Sequence, residues 1–99
     1  MKLQIHSIHF DADAKLLDFI QKRIDKLETF YDRFIDGEVF LRLDKDSSNS
    51  NKIVEVKLNI PGNQLFAKEK NDSFEAGIDA ASEALRRQIK KFKDKQMAH

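Results

Sequence analysis

Apolar and polar residues alternate at the start of the chain. Leu3 and Ile5 face one way and Lys2, Gln4 and His6 the other, the period-two signature of a half-buried strand. Asp13 then stands where an N-cap belongs. Leu16, Leu17, Ile20, Ile24, Leu27, Tyr31 and Phe34 follow at spacings of three and four, which predicts an amphipathic helix over about 14–35. Gly37, just past the last apolar turn, is expected to end that helix in the left-handed conformation. From Glu38 to Lys45 the period returns to two, with Val39, Leu41 and Leu43 on one face and Phe40 and Arg42 on the other.

Residues 44–51 hold no apolar side chain and many that bond their own backbone, so they read as a mobile connection without chemistry. Val54, Val56, Leu58 and Ile60 alternate with Glu55, Lys57 and Asn59. Pro61-Gly62-Asn63 then has turn chemistry leading into Leu65, Phe66 and Ala67, so strands three and four form a hairpin. Asp72 and Ser73 offer a cap for a last helix whose inner stripe is Phe74, Ile78, Ala81, Leu85, Ile89 and Phe92. Gly77, inside that helix, implies close packing against the sheet. The order is β-α-β-β-β-α. One apolar stripe per helix and one apolar face per strand predict an α+β domain over 1–99, with two helices side by side on one face of a four-stranded sheet.

Composition narrows the class. Among 99 residues, eight Phe and nine each of Leu and Ile are too many for a disordered chain and too scattered for a membrane span. The alternating start does not read as a secretory signal, which predicts a cytoplasmic protein. Zero Cys removes disulfides, thiolate metal sites and thiol nucleophiles together.

The net charge of +1 conceals an asymmetry. Residues 1–80 carry 12 Lys and Arg against 15 Asp and Glu, net −3, whereas residues 81–99 carry 6 against 2, net +4. On a helical wheel Lys15, Lys22, Lys26 and Arg33 fall within roughly 40° of one another, while Asp18, Asp25, Glu28 and Asp32 gather on the adjoining flank. A solvated helix gains by mixing signs at i, i+4, so a segregated ridge points to an anionic partner. In the last helix Arg86, Arg87, Lys90, Lys91, Lys93 and Lys95 exceed what compensation of the helix dipole calls for, and their surplus suits phosphate binding.

The outer sheet face brings Phe40 and Phe66 among Lys2, Arg42, Lys57, Lys68 and Lys70, which suits base stacking, edge packing or self-association. His6 and His9, with Asp11 as the nearest carboxylate, make a weak metal signal; a satisfied or solvent-facing histidine is the expectation. No phosphate loop, nucleophile elbow or buried carboxylate pair appears, so neither catalysis nor a cofactor, metal or small-molecule substrate is expected.

Three stretches carry a resemblance: Lys26-Leu27-Glu28-Thr29-Phe30-Tyr31-Asp32-Arg33-Phe34; Ala67 through Ser73-Phe74-Glu75-Ala76-Gly77-Ile78-Asp79; and Leu85-Arg86-Arg87-Gln88-Ile89-Lys90-Lys91-Phe92-Lys93. In their order and spacing the chain resembles the bacterial ribosome hibernation promoting factors and ribosome-associated inhibitors. The resemblance implies the same β-α-β-β-β-α fold and binding to the small ribosomal subunit between head and body. It implies contact with 16S rRNA where mRNA and the A- and P-site tRNAs would lie, on the 30S subunit or the 70S ribosome, in stress or stationary phase. The implied mechanism is occlusion.

The family's basic positions on the first helix match Lys22, Arg23, Lys26 and Arg33, and those on the second match Arg86, Arg87, Lys90, Lys91 and Lys93. Glu69 stands where relatives often carry a small residue, which leaves the end of strand four open. Ending at His99, the chain looks like the short promoting type, whose relatives pair 70S particles with a separate ribosome modulation factor. Two alternatives remain: a free double-stranded RNA-binding module, and a protein-interaction or dimerisation module that uses the exposed sheet face.

Overall fold

In a computed structural model, whose description covers residues 1–45 and 50–97 (backbone only at 96 and 97), the chain forms β1 (Leu3–Ser7), α1 (Ala14–Asp25), β2 (Asp36–Leu43), β3 (Lys52–Ile60), β4 (Asn63–Asn71) and α2 (Phe74–Met97). A 3₁₀ turn over Lys26–Thr29 continues α1. The strands lie in the order β1-β2-β3-β4, with β1 parallel to β2 and the rest antiparallel. This is the β-α-β-β-β-α arrangement read from the pattern. Residues 46–49, most of the connection expected to be mobile, lie outside the described residues, as does His99.

Local chemistry explains where the helices start. The Asp13 carboxylate accepts from Leu16 N at 2.8 Å, and the Ser73 hydroxyl accepts from Ala76 N at 3.1 Å, each satisfying an amide that the first turn leaves without a partner. The inner stripes meet the inward faces of β2, β3 and β4. Ile20, Ile24 and Leu27 join Val39, Leu41, Val54, Val56, Leu58, Ile78, Leu85 and Ile89 in one buried core. A Cβ on Gly77 would stand 2.8 Å from Val54 Cγ2, so the α2–β3 contact depends on the missing side chain there.

Four expectations are corrected. The first helix ends at Asp25 and its 3₁₀ extension at Thr29, not near 35. A helix joining parallel strands must return the chain to the level where the first strand began. Twelve α-helical residues rise about 18 Å, close to the roughly 17 Å of the five-residue β1, so α1 with its 3₁₀ turn already spans the return and no helix as far as residue 35 is needed. The Thr29 hydroxyl donates to the Lys26 carbonyl at 2.8 Å and closes the last turn, while Tyr31 and Phe34 reach the core from a non-helical connection.

Gly37 does not terminate a helix. It sits inside β2 opposite Leu3 and Leu58, where a Cβ would come within 2.6 Å of Leu58 Cδ2 and 2.8 Å of Leu3 Cδ2. Finally, Leu17 leaves the core stripe and is 37% exposed, because the buried line runs through Leu16, Ile20 and Ile24, one residue out of phase with it. The second strand is also shifted, from Glu38–Lys45 to Asp36–Leu43, and β4 continues past Glu69 to Asn71.

Candidate nucleic-acid interface

The two helices bring their basic residues to one seam. A shallow depression along α1 is lined by Lys15, Lys22, Arg23 and Lys26 together with Asp18 and Phe19. Arg23 and Lys26 also border a second depression, where Arg86 approaches from α2 across Leu27 and Phe30. Phe30 and Arg86 in turn border a groove of about 620 Å³ that continues along α2 past Arg87, Lys90 and Lys93. Six of the expected cations, Arg23, Lys26, Arg86, Arg87, Lys90 and Lys93, therefore share one connected surface, with Lys22 adjoining it. Arg33 and Lys91 are exposed but line none of these three depressions. Arg33 follows the end of α1, and Lys91 lies about 100° around α2 from Lys90.

The cations are not equivalent. Arg23 is 22% exposed and clamps the helices together, its Nε donating to Asp79 Oδ1 at 2.9 Å and its Nη2 to Glu83 Oε1 at 3.3 Å. Lys22 pairs with Asp18 one turn back at 2.8 Å, and this partner holds its ammonium pKa above the usual lysine value. By contrast, among the described residues no carboxylate pairs with Arg86, Arg87, Lys90 or Lys91. Four unneutralised charges close together on one helix repel one another, and an anion laid across them would relieve that repulsion.

Phe30 was missed in the sequence. It lies off the apolar stripe formed by Leu27, Tyr31 and Phe34 and is 40% exposed, yet it sits where the two depressions meet. The Arg86 guanidinium lies over its ring at 4.5 Å, and Lys93 Nζ donates to its carbonyl oxygen at 2.8 Å. A large aromatic off the stripe, between two basic segments, was the available signal. Lys93 reaching residue 30 also shows how the end of α1 is tied to α2.

Elsewhere the charges are mostly internal. The Met1 ammonium is bound by Asp25 Oδ1 and Glu28 Oε1, both at 2.7 Å, and hydrogen bonds to Asp25 first and Glu28 next raise its pKa above 8.0. This removes two carboxylates of the acidic flank from free solution. On the outer sheet face His6 stacks on Phe40 at 4.8 Å and Lys57 lies over the same ring at 5.4 Å, so Phe40 already has neighbours while Phe66 stays 42% exposed. Arg42 pairs with Glu55 and Lys70 with Asp44. His6 Nε2 faces Glu38, and among the described residues no group of three or more potential metal ligands occurs.

The sequence model of the family described as sigma 54 modulation protein / S30EA ribosomal protein matches residues 3–97. The chain belongs to this family. Among curated S30EA relatives, the ribosome hibernation promoting factor of Pseudomonas putida is 29% identical over 98 residues, covering 99% of this chain and 92% of that protein. The ribosome hibernation promotion factor of Deinococcus radiodurans is 30% identical over 95 residues, 95% of this chain and 50% of that protein. The chain thus spans nearly all of the first and half of the second.

Two solved structures share the fold. A ribosomal subunit interface protein from Coxiella burnetii superposes with a TM-score of 0.85 at 20% identity, covering 95% of this chain and 99% of that one. The N-terminal domain of Thermus thermophilus Protein Y does so with a TM-score of 0.81 at 22% identity, covering 93% and 99%. Among the described residues no helix of this S30EA chain is long and apolar enough to cross a membrane.

Proposed function

We propose that this protein is a ribosome-binding inhibitor of translation of the hibernation type, acting in the cytoplasm under stress or in stationary phase. It lies in the channel of the small subunit that mRNA and the A- and P-site tRNAs use, contacting 16S rRNA, on the free 30S subunit or within the 70S ribosome. The observation that carries this reading is the connected cationic seam from Lys22 through Lys26 to Arg86, Arg87, Lys90 and Lys93. Membership of the S30EA family and the names of hibernation factors similar to it point the same way.

The mechanism needs no bond-making step. Folded RNA offers phosphates at a fixed spacing, and a rigid pair of helices presents unpaired Lys and Arg to them without reading base sequence. Release of condensed counterions supplies the free energy. Once the seam is seated, the body of the domain fills space that tRNA and mRNA need, and inhibition follows from exclusion.

Co-sedimentation tests this. At low salt the protein should pellet with 30S and 70S particles, and pre-bound tRNA plus mRNA should displace it. A protein that stays in the supernatant, or that binds duplex RNA free in solution as well as it binds ribosomes, contradicts the reading.

A further inference from the structure

The groove beside Phe30 is poorly built for phosphate alone. Arg86, Arg87, Lys90 and Lys93 line it, but so do Glu83 and Asp94, and a purely phosphate-binding groove has no use for two carboxylates, which weaken the pull of the four cations. Glu83 is partly committed to Arg23, whereas Asp94 has no partner among the described residues. An exposed aromatic ring backed by a guanidinium borders the same space. Its volume of about 620 Å³ falls among clefts that hold small organic groups, roughly 300–1,000 Å³.

We infer that this groove is a nucleobase site: a base splayed out of single-stranded RNA stacks on the Phe30–Arg86 pair while Asp94 accepts hydrogen bonds from its edge and Arg87, Lys90 and Lys93 hold the flanking phosphates. Stacking needs a flat π face and tolerates any base. The carboxylate adds a preference, because Asp and Glu accept from base N–H donors and gain nothing from an edge of acceptors. Guanine, with two adjacent N–H donors on its Watson–Crick edge, fits a single free carboxylate best. The inference rests on the RNA-binding reading above and adds to it one base, one ring and one acceptor.

Phe30 is half open, so replacing it does not empty the core, and its carbonyl bond to Lys93 uses the backbone and survives substitution. The test uses the full chain and five-residue oligoribonucleotides with U at the flanks and G, inosine or U at the centre, followed by NMR. Binding of the G oligomer should shift the Phe30 ring protons upfield. Phe30→Leu should weaken it roughly 5- to 150-fold, the range for losing one stacked base, and Phe30→Trp should restore it. Asp94→Asn should erase the advantage of G over U while leaving the salt dependence nearly unchanged. Inosine, lacking the N2 amino group, should fall between G and U.

Equal affinity of wild type and Phe30→Leu, or absence of any ring shift, overturns the base site. Co-sedimentation of the wild type with 30S subunits, set beside the oligonucleotide titration, separates the two proposals. If the wild type pellets and the oligonucleotide arm is flat, only the base site falls. If the wild type never pellets yet the ring shifts, only the ribosome reading does.

Discussion

Gln88 of α2 grips the sheet edge at Phe66. Its Nε2 donates to the Phe66 carbonyl at 2.6 Å while its Oε1 accepts from the Phe66 amide at 3.2 Å. β4 is the last strand of the sheet, so without this side chain both groups of Phe66 would face outward unpaired by protein. Gln88 also stands between Arg87 and Lys90, so the same contact fixes the rotation of α2 and with it the direction in which the cations point.

Gln88→Ala should cost about 1–3 kcal/mol, two hydrogen bonds at the usual net value. Urea unfolding checks this. Unchanged stability would mean that water replaces the side chain without loss.

Leu85 is fully buried in the core, whereas its neighbours Arg86 and Arg87 are exposed. Leu85→Ala should therefore lower stability by about 2–5 kcal/mol through the cavity it leaves. Ribosome binding should persist at temperatures where the variant is folded.

The double reversal Arg87→Glu with Lys90→Glu should leave the circular dichroism spectrum intact, since neither side chain enters the core, and abolish co-sedimentation with 30S subunits. Lys91→Glu alone should do less than Lys90→Glu, because Lys91 lies outside the groove. Equal effects would mean that the RNA covers more of α2 than the seam.

The Met1 ammonium has a pKa raised above its unfolded value of 8.0 by Asp25 and Glu28. A raised folded pKa stabilises fully below the unfolded value and loses that contribution as pH climbs through the folded one. Stability should accordingly fall as pH rises above 8, and the fall should shrink in the double variant Asp25→Asn, Glu28→Gln. Urea midpoints between pH 7 and 10 measure it.

Much of this was legible because it is local. The Asp13 and Ser73 caps, the alternation in β3 and the Phe74–Ile89 stripe each depend on residues within one or two turns, and all appear where the pattern puts them. What was illegible is set by distant partners. Tyr31 and Phe34 keep the helical spacing and reach the core, yet the pairing of Gly37 with Leu3 fixes where β2 runs, and the helix ends before them. The role of Arg23 as a clamp depends on Asp79, 56 residues away, and the exposure of Phe30 depends on where α1 stops. The wheel that grouped Arg33 with Lys22 assumed a helix that does not continue that far.

The most direct test of the cationic seam is the affinity for purified 30S subunits measured across a range of salt concentrations. About six neutralised phosphates give a slope of log affinity on log salt of roughly −4 to −5, and each lost seam cation should reduce it by about one. A slope near zero, or one that Arg87→Glu and Lys90→Glu leave unchanged, would contradict an interface built from these side chains.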